Sequence, residues 1–161
     1  MKKLFKFFII LLSFFTLVSC NNNQGNNNNQ ENNQNNNEND GSYSDTFEGI
    51  TYTVTEDGYY NSKYEVAIYI HFFEKLPSNY FKKDKSQYVT DNWTEENKYS
   101  IGGNRFNNRE ELLPLKNTYT ECDINSTRFN RGAERIVFSN NFDVYYTADH
   151  YRSFKKIYPK C

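Results

Sequence analysis

Side chains that can move protons or hold a phosphate group follow one another between residues 121 and 151. Glu121 supplies a carboxylate, Arg131 and Arg135 supply guanidinium groups, and His150 supplies an imidazole. Cleavage of a phosphodiester by a neighbouring hydroxyl group uses these functions. A general base removes the hydroxyl proton, cations hold the phosphate as its charge redistributes, and a general acid protonates the leaving oxygen. Because such residues occur in most surface loops, their types alone are weak evidence for a site.

The region around these residues has the pattern of strands joined by polar turns. Short apolar runs with period-two alternation, bounded by Asn-, Gly- and Ser-rich stretches, favour strands over helices. Strands are predicted over residues 118–124, 135–139, 142–147 and 153–157, after a first strand that begins at 100–103, with a loop over 105–113 and a turn at 140–141. Glu121 would then lie within a strand and His150 in a loop.

The preceding part of the chain has helical spacing. Apolar residues repeat every three or four positions up to Pro77, which predicts a helix over 64–75. Polar residues at 78–79 offer capping oxygens for a second short helix over 80–89. Helices followed by antiparallel strands are typical of α+β proteins. We therefore expect N-terminal helices packed on a C-terminal antiparallel β-sheet meander.

Residues 41–62 do not fit this arrangement. The segment 50–55 alternates like a strand, and Asp57-Gly58 has the composition of a turn. We expect either an added edge hairpin or a loosely packed arm.

Several short motifs occur in a fixed order in the second half of the chain. They are Ser100-Ile101-Gly102-Gly103, Phe106-Asn107-Asn108-Arg109-Glu110, Asp123-Ile124-Asn125, Glu134-Arg135-Ile136 and Thr147-Ala148-Asp149-His150-Tyr151. In this order they closely resemble the guanyl-specific bacterial ribonucleases of the barnase type. The resemblance extends from near Tyr64 to Ile157, and it implies the microbial ribonuclease fold.

The resemblance assigns catalytic roles. It implies that Glu121 is the general base and His150 the general acid, that Arg131 and Arg135 hold the phosphate, and that Lys83 adds a further positive charge. The implied reaction is metal-free transesterification of single-stranded RNA to a 2′,3′-cyclic phosphate, followed by slower hydrolysis, without a cofactor. Because the 2′-hydroxyl group is the nucleophile, RNA would be cleaved and DNA would not.

The resemblance also implies a guanine-binding loop. In that family, backbone N–H groups of the loop read O6 and N7 of guanine, and a glutamate accepts from N1 and N2. The implied substrate-binding residues are Phe106, Asn107, Asn108, Arg109, Glu110 and Tyr151, with Glu110 as that acceptor and Tyr151 stacked on the base. Without the other motifs, an ordinary Asn-rich turn would be the simpler interpretation of this loop.

The chain departs from the family pattern near the implied site. Asn104 stands where barnase-like proteins carry an aspartate that helps orient the lysine and the catalytic glutamate, so weaker activity is expected. Asn130 replaces an aromatic residue before the first arginine, although Phe129 lies one place earlier. These departures leave open a non-catalytic surface lipoprotein that binds RNA or protein with the same fold. A toxin against neighbouring cells is a lower-ranked alternative.

The N-terminal segment has the pattern of a targeting signal. A basic start and an apolar run over 7–18 predict a signal peptide at 1–19, and the Leu-x-Ser-Cys ending resembles a lipobox with Cys20 as the lipidated residue. An ordinary secretory signal is the alternative. Residues 21–40 are almost entirely Asn and Gln, which predicts a disordered tether at 20–42 before a ribonuclease domain at 43–161. We therefore expect an extracellular or cell-surface protein anchored to the bacterial membrane through lipid.

Charge and cysteine content add less. Lys and Arg total 19 against 20 for Asp and Glu, so the chain has no global excess of positive charge. The composition allows a local basic cleft but not a basic surface over the whole protein. Alternation along the strand places Cys122 on the opposite face from Glu121, toward the helices. We expect Cys122 to be buried there as a free thiol and not to form a disulfide with Cys161. His71 is expected to pack or lie at the surface. The expected partners of this monomer are single-stranded RNA and, by resemblance alone, a barstar-like inhibitor.

Overall fold

The structure is a computed structural model that describes residues 41–159. The predicted signal peptide, Cys20, most of the Asn/Gln tether and Cys161 lie outside the described residues. The elements are β1 (Ser42–Phe47), β2 (Ile50–Thr55), α1 (Lys63–Phe73), β3 (Tyr80–Phe81), a 3₁₀ turn (Lys83–Lys85), α2 (Ser86–Asn92), β4 (Ser100–Phe106), β5 (Tyr119–Asp123), β6 (Arg135–Ser139), β7 (Val144–Thr147) and β8 (Lys155–Tyr158). Within these residues neither helix is long and apolar enough to cross a membrane.

The main sheet has six strands in the order β3-β4-β5-β6-β7-β8. The short β3 pairs with β4 in parallel, and every other pairing is antiparallel. From β4 onward the chain is a meander in which each strand pairs with the next. This arrangement confirms the predicted α+β class, with an antiparallel meander after the helices.

Helix α1 lies in the centre of the hydrophobic core. It begins after Ser62, whose hydroxyl group bonds the carboxylate of Glu65, and it ends at Glu74 in the left-handed conformation. Residues Val66–Ile70 are all buried, although a helix covered on one side would bury a single stripe. The helix is therefore covered on more than one side, by the main sheet and by the β1–β2 hairpin.

The β1–β2 hairpin is a separate two-stranded sheet and does not extend the edge of the main sheet, so the expected edge hairpin was wrong in its placement. Its turn, Glu48-Gly49, has positive φ at both residues, as hairpins with two-residue loops favour. Tyr43 stacks on Phe72 with a centroid distance of 4.4 Å. The aromatic contacts explain why the segment is packed and is not a loose arm. The predicted turn at Gly58 is confirmed by its bond to the carbonyl group of Thr55.

The second predicted helix was wrong in its first part. Tyr80–Phe81 form β3 beside Ser100–Ile101, and α2 begins at Ser86. Asn79 explains the difference, because its buried amide donates to the carbonyl oxygens of Tyr60 (3.1 Å) and Lys98 (2.9 Å) and fixes the chain in an extended course. These bonds join segments 19 residues apart, which local sequence does not reveal.

Other boundaries shift for local reasons. The loop predicted from residue 105 begins at 107, because Arg105 and Phe106 pair with Thr120 and Tyr119. Strand β7 begins at Val144 and not at Phe142, whose φ of 59° belongs to a turn. The bounds predicted for β6 are confirmed.

The two faces of the sheet differ. On one face, Cys122 packs in the core with α1, as alternation predicted. Gly102 permits this close packing, because a Cβ atom there would lie 2.5 Å from Cβ of Cys122. On the other face, a second cluster contains Leu113, Tyr119, Val137 and Tyr145, with Phe106, Tyr151 and Phe154 against it. Glu121 lies on this second face, since it alternates with Cys122 along β5.

Candidate active site

Glu121 lies in the middle of β5, between Asn104 of β4 and Val137 of β6 in the strand register. Its carboxylate accepts a hydrogen bond from the hydroxyl group of Tyr151, with 2.7 Å between Oε2 and Oη. Burial, and then this bond, raise the pKa of Tyr151 well above its usual range, so the phenol stays protonated as a donor. The sequence therefore places a carboxylate on a rigid strand, and the loop after β7 holds it in one orientation.

A cleft of about 690 Å³ opens beside Glu121. Its walls come from the loop after β4, the middle of β5 and the loop after β7. The lining residues are Arg105, Phe106, Asn107, Asn108, Arg109, Glu110, Leu112, Glu121, His150, Tyr151 and Arg152. The cleft thus brings together both residues of the predicted acid–base pair and all six residues of the predicted guanine site.

The loop after β7 has a fixed backbone. His150 and Tyr151 both have positive φ, 56° and 73°, a backbone conformation that residues other than glycine rarely adopt. Asp149 stabilises this course, because its carboxylate accepts from the hydroxyl groups of Thr147 and Ser153 and from the N–H groups of Arg152 and Ser153 at 2.6–3.0 Å. These bonds, led by that of Ser153, lower the pKa of Asp149 to about 2.

The loop after β4 is also braced internally. The side-chain amide of Asn108 donates to the carbonyl oxygen of Leu113 and accepts from its N–H group, at 2.8 and 3.0 Å. Leu113 is itself buried in the second cluster. Asn108 therefore holds the loop shape with its side chain, whereas Arg109 and Glu110 at the turn are exposed.

The two predicted phosphate-binding arginines share one buried carboxylate. Asp123 accepts from Nε and Nη2 of Arg131 at 2.5 and 2.9 Å, and it forms an ion pair with Nε of Arg135 at 2.8 Å. Arg135 also donates through Nη1 to three backbone carbonyl groups. Arg135 is buried, whereas the side chain of Arg131 is 45% exposed.

The arginines stand beside the cleft and are not among the residues that line it. Electrostatic interactions nevertheless connect Arg131 with Glu121 and Tyr151, and Arg135 with Tyr151. Their positive charges therefore act on the carboxylate end of the cleft. The Asp123 bonds, which are the largest cause, raise the pKa of Arg131 above its usual range.

Lys83 also lies outside the cleft lining, exposed in the 3₁₀ turn. Its backbone N–H group donates to Oδ1 of Asn104 at 2.8 Å, and Asn104 is the register partner of Glu121. The amide of Asn104 therefore ties the lysine-bearing turn to the strand beside the catalytic candidate. A neutral amide suffices for this contact, although it lacks the charge of an aspartate.

Asp123 and Asp149 were not predicted as site residues. Asp123 has the sequence signal that it stands two places after Glu121 and so points to the same face of the strand. Asp149 has Thr147 and Ser153 near it in sequence, as is common in polar side-chain turns. Neither signal shows that one carboxylate binds two arginines or that the other fixes the histidine loop. In residues 41–159, no group of three His, Cys, Asp or Glu side chains is placed to hold a metal ion.

Comparison with known proteins agrees with this arrangement. Residues 16–158 match the ribonuclease family, so the chain belongs to the microbial ribonucleases. It is 35% identical over 102 residues to a ribonuclease of Heyndrickxia coagulans, an alignment covering 57% of this chain and 92% of that protein. A ribonuclease of Bacillus intermedius shows the same identity, with 62% of its length covered.

Two further similarities are shorter or weaker. The guanyl-specific ribonuclease Sa3 of Kitasatospora aureofaciens is 43% identical over 65 residues, which cover 37% of this chain and 45% of that protein. The crystal structure of ribonuclease Sa2 with guanosine-2′-cyclophosphate is 31% identical, covers 55% of this chain and 93% of that one, and has a TM-score of 0.33. The family membership rests on the sequence matches.

Proposed function

We propose that this chain is an endoribonuclease that cleaves single-stranded RNA, preferentially after guanosine, by metal-free transesterification. The observation that supports this most directly is the shared cleft, which both Glu121 and His150 line together with the loop 106–110. A base, an acid and a pocket for one nucleobase on the same surface are what a base-selective internal cleavage needs.

In the first step, Glu121 accepts the proton of the ribose 2′-hydroxyl group. The 2′-oxygen forms a bond to phosphorus, and the bond from phosphorus to the 5′-oxygen of the next nucleotide breaks. His150 gives its proton to that leaving oxygen, so a 2′,3′-cyclic phosphate and a free 5′-hydroxyl group result. Because Tyr151 occupies Oε2 of Glu121, we assign proton removal to Oε1.

In the second step, the roles are exchanged. His150, now neutral, accepts a proton from water, whose oxygen attacks phosphorus. Glu121 returns its proton to the 2′-oxygen as the cyclic bond breaks, which leaves a 3′-phosphate. Both residues are thereby restored to their starting protonation states.

Positive charge stabilises the phosphate during both steps. Arg131, Arg135 and Asp123 together carry one net positive charge, because a single carboxylate neutralises one of the two guanidinium groups. We assign Arg131, whose side chain is partly exposed, to direct contact with phosphate oxygens. Arg135 would act mainly as a fixed buried charge, and Lys83 as an additional cation at the edge of the site.

Guanine recognition is assigned to the loop after β4. The Watson–Crick edge of guanine offers N–H donors at N1 and N2, which suit the exposed carboxylate of Glu110, while O6 and N7 accept from backbone N–H groups. Phe106 and Tyr151, with ring centroids 5.1 Å apart, supply aromatic surface for stacking.

The test is cleavage of defined RNA oligonucleotides by the purified full-length chain in EDTA. Cuts after G that leave a 2′,3′-cyclic end are expected, and Glu121→Ala and His150→Ala should abolish them. For base preference, Glu110→Gln should lose selectivity for G, whereas Glu111→Gln, in the same loop but outside the cleft lining, should keep it. Cleavage of DNA, or activity that disappears with EDTA, would contradict the mechanism.

The alternative is a non-catalytic surface protein that keeps the fold to bind RNA or protein. The feature that favours it is Asn104, a neutral residue beside Glu121. A folded unmodified chain that binds RNA without cutting it would establish this alternative. If the chain is an enzyme, Glu121→Gln should lose cleavage while RNA binding survives.

We further propose that the protein is secreted and held at the membrane through Cys20, with residues 20–42 as a tether before the domain at 43–161. The apolar run and lipobox-like ending support this. Incorporation of labelled fatty acid that is lost in Cys20→Ser would support it, and incorporation in neither protein would contradict it. The barstar-like inhibitor that the resemblance implies is tested by titrating cleavage with barstar.

A further inference from the structure

Phe129 is a large apolar residue that packs in neither hydrophobic cluster. Its side chain is 86% exposed, the highest exposure among the large apolar residues of 41–159. It stands in the loop between β5 and β6, where the N–H group of Thr127 donates to the carbonyl group of Asn130 at 2.8 Å. This bond makes Phe129 one of the two central residues of a closed turn. The side-chain oxygen of Asn130 then accepts from the N–H group of Gly132 at 2.8 Å, which braces the turn.

Arg128 supports the ring. Its guanidinium carbon lies 5.1 Å from the ring centroid of Phe129, within the range of cation–π interaction. Its Nε donates to the carbonyl oxygen of Thr90 in α2 at 3.0 Å, which holds the loop against that helix. The pair is therefore a braced aromatic surface with a positive charge beside it.

The position of this pair relative to the cleft follows from the strand register. Phe106 pairs with Tyr119 at the start of β5, so the loop 107–118 lies at one end of that strand. The loop that carries Phe129 leaves β5 after Asp123, at its other end, and Glu121 lies between them. Arg131, two residues after Phe129, is bonded to Asp123.

We propose that Phe129 stacks on a nucleobase on the 3′ side of the cleaved phosphodiester, with Arg128 beside the phosphate that follows. This inference rests on the proposed function. Guanine at the loop after β4 and the reacting phosphate near Glu121 and Arg131 define a direction along β5. The leaving nucleotide continues in that direction, toward Phe129.

The chemistry of the pair suits this occupant. An exposed ring stacks on any base, and arginine adds attraction to phosphate and to the base face. Two arginines in one loop favour a polyanion over a neutral partner. The contribution would increase the rate for longer RNA without selecting its downstream sequence.

The experiment compares three substrates with the purified full-length chain. GpApA has nucleotides on the 3′ side, guanosine 2′,3′-cyclic phosphate has none, and ApApG ending in a 2′,3′-cyclic phosphate has nucleotides on the 5′ side alone. Phe129→Ala should lower kcat/KM for GpApA by at least about fivefold, the lower range of a stacking contact. It should leave hydrolysis of both cyclic phosphates unchanged, and Phe129→Trp should retain the rate on GpApA.

The matched control is Ile50→Ala, which removes a side chain that is 57% exposed at the tip of the β1–β2 hairpin. It should change none of the three rates. Equal loss on all substrates, loss confined to the 5′-extended one, or no loss on GpApA would overturn the assignment to Phe129 while leaving the enzyme intact. Absence of cleavage and hydrolysis by the unmodified chain would overturn the proposed function and this inference together. Thermal melting of each variant checks that folding is preserved.

Discussion

The hydroxyl group of Tyr151 donates to Oε2 of Glu121 at 2.7 Å and joins residues 30 positions apart in the chain. The bond connects the loop after β7 to the middle of β5, so one wall of the cleft is anchored directly to the carboxylate of Glu121. Because burial and this bond raise the pKa of Tyr151, the contact persists through the neutral range. Tyr151 thus has a positioning role toward Glu121 as well as the predicted role of stacking on guanine.

Tyr151→Phe separates these two roles, since it keeps the ring and removes the donor. A hydrogen bond to a charged group contributes about 1.5–3 kcal/mol, so kcat/KM should fall at least about tenfold. The loss should appear mainly in kcat, because the aromatic surface is kept. Steady-state kinetics on a guanylyl dinucleotide checks this. Tyr151→Ala should raise KM as well; an equal KM in both variants would contradict the stacking role.

Asp123→Asn should strongly destabilise the protein. The Asp123 side chain is 3% exposed and that of Arg135 is 5% exposed, so neutralising the carboxylate leaves a buried guanidinium group without its counter-charge. Removing one partner of a buried ion pair costs about 3–5 kcal/mol. Urea denaturation measures the free energy of unfolding.

The control for this prediction is Asp143→Asn, which removes the more exposed carboxylate paired with Lys156 at 2.9 Å. An exposed pair contributes about 0–1 kcal/mol, so this variant should be close to the unmodified chain. If both variants lost the same stability, the buried pair would have no special role.

The strand pattern of the second half of the chain could be read from sequence because its cause is local. Strand β6 is a short apolar run bounded by Arg135 and by the polar residues Ser139 and Asn140, and its bounds were predicted correctly. The first half was less predictable. Tyr80 and Phe81 form a strand because Asn79 ties distant backbone segments together, and no local pattern contains that information.

The site shows the same division. Placement of Glu121 on the strand face opposite Cys122 followed from period-two alternation. The functions of Asp123 and Asp149 depend on which groups the fold brings within 3 Å, and those groups come from loops whose course is set by tertiary contacts. The family resemblance identified the candidate catalytic and binding residues, and the structure adds the residues that position them.

Asp149 makes the stability of the folded protein depend on pH in the acidic range. Its pKa is lowered from 3.8 to about 2 in the folded chain, so the folded state favours the charged carboxylate. The resulting stabilisation is fully present above the unfolded value and is lost as pH falls toward about 2. Melting temperature measured between these two pH values should therefore fall less steeply for Asp149→Asn than for the unmodified chain. Identical slopes would show that the pKa of Asp149 does not differ between the folded and unfolded states.

Cys122 should be unreactive in the folded protein. It is 1% exposed in the core beside α1, and burial raises its pKa well above the usual range, so thiolate is scarce at neutral pH. In a chain carrying Cys20→Ser and Cys161→Ser, a thiol reagent should label Cys122 at the rate of global unfolding. Concentrated urea should make labelling immediate. Rapid labelling without denaturant would show that the sheet opens locally at β5, and the rigid placement of Glu121 on that strand would then be wrong.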